Sequence, residues 1–108
     1  MNVFLIKLKK MTNNEKFVQF IEKYPECYSI IQSDIFVKFL NSFKSSPKSI
    51  SELKRLAIHI ESLDLGLILI ALKSAKLIKR TITAQNEVYF LTPRAKTLLK
   101  LYSLAKNA

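Results

Sequence analysis

The stretch Ser62–Arg80, "SLDLGLILIALKSAKLIKR", decides the fold. Between Leu63 and Leu72 only Asp64 and Gly66 are not apolar. The spacing predicts a helix that Ser62 caps, with Asp64 in its first turn and its end near Lys76. At about 100° per residue, with Leu65 facing the core, Leu65, Ile68, Leu69 and Leu72 cluster inward. The opposite face then carries Leu63, Gly66, Leu67, Ile70 and Ser74. It holds none of the Arg, Lys, Asn or Gln side chains that read base edges, and Lys73 lies to one side. A helix apolar all round is usually buried, so Leu63, Leu67 and Ile70 are expected at a covered surface. Burying three such side chains contributes roughly 5–9 kcal/mol before entropic costs. The cover could be the N-terminal helix or strand folded across, the second copy of a symmetric dimer, or a different partner protein. Direct apolar contact with thymine methyls in a DNA groove is the remaining use.

Downstream, "LIKRTIT" (77–83) and "EVYFLT" (87–92) read as two strands, rich in Thr, Ile, Val, Tyr and Phe, with "AQN" as the turn. Alternation turns one of Tyr89 and Phe90 to the core. Thr92-Pro93 supplies the N-cap and first position of a last helix, whose Ala95, Leu98, Leu99 and Tyr102 form one face. Upstream, Ser49 with Glu52 three residues later makes a capping-box pattern. The helix it opens buries Ile50, Leu53, Leu56, Ala57 and Ile60 and points Lys54 and Arg55 elsewhere. "HIES" (59–62) reads as a turn and "KSSPKS" (44–49) as a loop. Ser33 and Asp34 open a helix with Phe36, Phe39, Leu40 and Phe43 on one face. Thr12, Asn13 or Asn14 caps an earlier one, with Phe17, Phe20, Ile21 and Tyr24 aligned and Pro25 ending it. "ECYSIIQ" is then a connector. Residues 1–11 read as an N-terminal extension to a single domain over 12–108. It is either a short edge strand or a segment upstream of a start at Met11.

The 108 residues suit one domain, since two halves would each bury too little surface. Hydrophobic residues are 49% and charged residues 24%, the balance of a packed chain and not of a disordered one. One Gly and three Pro leave few tight turns, which favours helices over a many-stranded sandwich. No apolar run approaches ~18 residues, so no membrane span is expected. Val3–Ile6 is too short for the ~7-residue core of a signal peptide. The lone cysteine, Cys27, has no intramolecular partner, which fits a reducing, cytoplasmic compartment. The 18 Lys+Arg against 8 Asp+Glu give a net charge of +10, a field that attracts polyanions and nucleic acid first among them.

Three passages together carry a resemblance. "SISELKRLA" matches the first helix of a helix-turn-helix pair, and "LKSAKLIKR" (72–80) resembles the passage "LxxxGLIxR" into a first wing strand. "VYFLTPRAKTLLKLY" (88–102) resembles "YxLTxxGxxLL", from second wing strand to final helix. Residues 33–106 thus resemble a winged helix-turn-helix domain, of the kind found in MarR- and PadR-type regulators and in small archaeal and viral DNA-binding proteins. Two positions depart from the pattern, Lys76 and Ala95, where Gly is usual. The resemblance implies a mainly α fold with a small β-hairpin wing and one extra N-terminal helix. It implies double-stranded DNA as partner, with phosphate contacts from Ser49, Ser51, Lys54 and Arg55 and wing contacts from Lys79, Arg80, Gln85 and Asn86. Lys73 joins that set from the helix end.

The remaining side chains suggest no catalysis. His59, read as a turn residue, and Cys27, read as a small buried residue, lie in different segments with no second ligand at metal spacing. Asp34, Glu52 and Asp64 are explained as helix-start residues. No Gly-rich phosphate loop surrounds Gly66. No metal, cofactor or enzymatic role is expected. Two functions remain: a DNA-binding transcriptional regulator, as monomer or homodimer, or a small accessory subunit of a polymerase or transcription complex. The second would dock on a protein through Leu63, Leu67 and Ile70.

Overall fold

The computed structural model describes residues 11–44, 46–59, 64–83 and 87–106. Helix α1 (Asn13–Lys23) starts where Thr12 caps it, the Thr12 hydroxyl oxygen accepting from the Glu15 amide at 3.1 Å. Tyr24, before a proline, is driven out of helical geometry (φ −128°, ψ 70°), and α1 ends there. The same proline then sits at the start of a second helix, α2 (Glu26–Ile31), in the segment expected to be a connector. The reason is visible in the spacing. Cys27, Ile30 and Ile31 fall at i, i+3 and i+4, and all three are buried. Burial pushes the Cys27 thiol above its ordinary range, Glu26 adding to the shift and Arg94 opposing it.

Helix α3 (Asp34–Asn41) is capped by Ser33, as expected, and buries Phe39 and Leu40 completely. Phe43 follows just past its end, its ring 6.0 Å from that of Phe39. A two-residue strand, β1 (Lys48–Ser49), replaces the end of the expected 44–49 loop. Helix α4 (Ile50–His59) carries the capping box. The Ser49 oxygen accepts from the Glu52 amide at 3.2 Å, and the Glu52 carboxylate accepts from the Ser49 amide at 3.2 Å. The helix reaches His59, so that residue ends a helix and does not begin a turn. Helix α5 (Leu65–Ser74) is capped by Asp64, whose extended backbone and carboxylate accepting from Leu67 N at 3.2 Å make it the cap itself, not a first-turn residue. Ser62 lies outside the described residues. Strands β2 (Ile78–Ile82) and β3 (Glu87–Leu91) and helix α6 (Pro93–Lys106) complete the chain.

The result is a mainly α chain with a small antiparallel sheet of order β1-β3-β2. Lys48 and Arg80 lie on either side of Tyr89 in register, and Lys79 lies opposite Phe90. Tyr89 is the core-facing residue of the pair and Phe90 is half-buried. Leu40, Leu53, Leu72, Leu77 and Leu98, from five different segments, are fully buried and join one core. α1 does not cover α5. It lies on α6, with the Phe17 and Tyr102 rings 6.0 Å apart. Arg94 fastens this end. Its guanidinium stands 3.9 Å over the Tyr24 ring, pairs with Glu26 at 2.9 Å and donates to the Ala75 carbonyl at 3.1 Å.

The turn from α5 into β2 is closed by a Schellman arrangement. Lys76 N donates to the Lys73 carbonyl and Leu77 N to the Leu72 carbonyl, both at 2.9 Å. Leu72 and Leu77, the pair that packs in such a cap, are both fully buried. The geometry requires a left-handed residue, and Lys76 supplies it at φ 58° where glycine would be unstrained. Thr92 locks the turn from the other side. Its hydroxyl donates to the Lys76 carbonyl at 2.7 Å and accepts from Ala95 N at 3.2 Å, and its amide donates to the Leu77 carbonyl at 3.1 Å. Lys76→Gly should therefore raise stability by roughly 0.5–1 kcal/mol, the relieved strain less the greater freedom of unfolded glycine. Denaturant unfolding checks this; a lower midpoint for the variant would show that Lys76 is not strained in solution.

Candidate functional site

Two elements carry most of the exposed cations singled out from the sequence. On α4, Ser51, Lys54 and Arg55 fall at i, i+3 and i+4 and form one exposed stripe, which Ile58, 77% exposed, continues at i+7. At the α5–β2 junction, Lys73 and Lys79 are exposed on either side of the strained turn. Among the described residues none of Lys54, Arg55, Lys73 and Lys79 has a carboxylate within ion-pair distance. Arg55 and Lys73 do lie near enough to Glu52 and Glu87 to help hold those carboxyls below their usual range.

Two of the expected phosphate donors are already engaged. The Ser49 hydroxyl donates to the Glu52 carboxylate at 3.1 Å, so it serves the helix cap. Arg80 pairs with Glu87 at 3.1 Å, and Glu87 also accepts from the Tyr89 hydroxyl at 2.7 Å. The Tyr89 hydrogen bond is the larger cause of the lowered Glu87 pKa, with Arg80 next. Burial and the Glu87 carboxylate push the Tyr89 phenol upward. This triad ties the two strands of the hairpin together and engages Arg80 in an ion pair. Gln85 and Asn86, the expected wing tip, and Leu63 lie outside the described residues.

Lys76 sits in the same cluster, although its sequence pattern marks it only as a departure from the usual glycine. Lys73, Lys76 and Lys79 border an open cavity of about 450 Å³ whose lining includes Phe90 and Pro93. Lys48 also gained a place the loop reading did not give it, in register beside Tyr89 and 4.0 Å from Glu52.

Among the described residues nothing covers the outward face of α5. Leu67 is 64% and Ile70 63% exposed, while Ile68, Leu69 and Leu72 are buried, so the inward face is as expected and α1 does not supply the cover; the N-terminal strand that was the other internal candidate lies outside the described residues. Gly66, also exposed, adds no side chain to that surface. No group of His, Cys, Asp and Glu capable of holding a metal ion occurs among the described residues, and no helix there is long and apolar enough to cross a membrane. Compared with known proteins, the chain matches no family model and no curated protein.

The exposure of Leu67 and Ile70 has a direct consequence for stability. Leu67→Glu combined with Ile70→Glu should change the unfolding free energy by no more than about 1 kcal/mol, as surface substitutions do. A loss of several kcal/mol in thermal or urea unfolding would show that this face is covered in the folded protein.

Proposed function

We propose that the protein is a non-enzymatic DNA-binding module of the winged helix-turn-helix type, a transcriptional regulator of the cytoplasm that grips duplex DNA mainly through its phosphates. The observation that carries this reading is the set of cations without an ion-pair partner among the described residues, Lys54 and Arg55 on α4 and Lys73 and Lys79 at the α5–β2 junction, in a chain of net charge +10. Helix α5 offers no polar side chain on its exposed outward face before Ser74, so base reading from it is minimal. Phosphate contact without base reading gives binding that is weakly specific and strongly salt-dependent.

A second reading draws on the exposed Leu67 and Ile70. A solvent-facing pair of large apolar residues on a ten-residue helix suits protein docking, with the chain as an accessory subunit of a polymerase or transcription complex. The two readings separate on the lone protein, because the first requires duplex affinity without a partner.

Lys54→Glu combined with Arg55→Glu removes two phosphate contacts and adds two repelling charges. Fluorescence anisotropy with duplex DNA across a salt series should show affinity falling at least ten-fold at low salt. The slope of log K against log salt should flatten by about 1.8, near 0.9 per lost contact. Unchanged affinity and slope, with the fold intact by circular dichroism, would remove α4 from the interface.

A further inference from the structure

Strand alternation turns Tyr89 into the core and Phe90 to the other face of the sheet, where it lines the open cavity together with Pro93. Three lysines, Lys73, Lys76 and Lys79, surround this apolar floor, and among the described residues no carboxylate lines it. Arg94 also borders the cavity, but its guanidinium is committed to Glu26, the Ala75 carbonyl and Tyr24. The three lysines have no ion-pair partner among the described residues. Lys76 adds an independent observation. It occupies a left-handed position that favours glycine, and the residue there carries a cation exposed at this rim.

We propose that this cavity holds an unpaired nucleotide, its base against Phe90 and its phosphates among Lys73, Lys76 and Lys79. The proposal rests on the nucleic-acid reading above and adds to it a site that shares Lys73 and Lys79 with the duplex contacts but brings in Phe90 and Lys76. An aromatic floor ringed by cations matches a ligand that is flat and apolar on one part and anionic on another. Bases within a duplex are stacked on their neighbours and offer no free face to Phe90. A single strand, a frayed end or a free nucleotide does offer one, and base–aromatic stacking tolerates any sequence.

The test uses the full chain and three probes: a labelled dT oligomer, an abasic oligomer of equal length and charge, and free thymidine triphosphate as competitor. The dT oligomer should bind roughly ten-fold more tightly than the abasic one, within the range a stacked base contributes. Phe90→Leu, which keeps an apolar side chain in place, should erase that difference while leaving duplex binding through α4 intact. Lys76→Gly should weaken dT binding although it stabilises the fold, so a loss there cannot be ascribed to unfolding. Displacement by thymidine triphosphate at a similar concentration identifies a free nucleotide as the occupant; displacement only by oligomer identifies a strand. Equal affinity for dT and abasic oligomers, or a dT preference untouched by Phe90→Leu, overturns the proposal while duplex binding stands. Absence of binding to duplex and single strand alike overturns both readings together.

Discussion

The reversal of the chain between α5 and β2 is the constraint on which the rest of the structure depends. Leu72 and Leu77 must both be buried, and four residues separate them, the last two of which, Ala75 and Lys76, form the turn. Only a left-handed residue closes that distance with the Leu77 amide reaching back to the Leu72 carbonyl. Thr92 then reads the geometry from across the sheet, bonding both the Lys76 and Leu77 carbonyls while capping α6. Through that one residue the turn fixes where β3 ends and where α6 begins. β3 in turn offers its free edge to β1, and β1 runs directly into the capping box of α4. The exposed stripe on α4 and the lysines around Phe90 are thus positioned by one junction.

Charge and apolar surface lie on different elements of the fold. α5 supplies the core with Ile68, Leu69 and Leu72 and exposes Leu67 and Ile70. A helix with that outward face has little to offer base edges. On the proposed DNA-binding function, affinity for a polyanion comes from α4 and from the α5–β2 junction, whose cations Lys54, Arg55, Lys73 and Lys79 have no ion-pair partner among the described residues, and not from Arg80 or Arg94, which hold the hairpin and the α1–α6 end together. The net charge of +10 is a poor guide to which cations are available, because ion pairs and ring contacts consume the best-placed arginines.

Much of the fold was legible because strong local signals agreed with burial. Ser33, Ser49 and Thr92 each cap the helix they were expected to cap, Thr12 is the cap among the three residues offered for α1, and the apolar positions at i, i+3, i+4 and i+7 are the ones that pack inward. The inward and outward faces of α5 were equally readable from angle alone. What escaped was short or depended on distant partners. α2 has only six residues, and Pro25 reads as a stop before it reads as a start. β1 is two residues of Lys and Ser, made a strand only by the edge of β3. Asp64 displaced Ser62 as the cap, since extended backbone at Asp64 starts the helix later. The destination of α1 was a tertiary choice, settled by Phe17 against Tyr102 and Tyr24 beneath Arg94. Within the candidate site, exposure of Lys54, Arg55, Lys73 and Lys79 followed from periodicity, while the capture of Arg80 by Glu87 required the strand register.

The proposed function has duplex DNA meeting α4 and the α5–β2 junction and not the outward face of α5. Titration of the ¹⁵N-labelled protein with duplex DNA, followed by amide chemical shifts, separates the two surfaces. The largest changes are predicted at Ser51, Lys54, Arg55, Lys73 and Lys79, with Gly66, Leu67 and Ile70 nearly unmoved. Changes centred on Gly66–Ile70, with α4 silent, would contradict it.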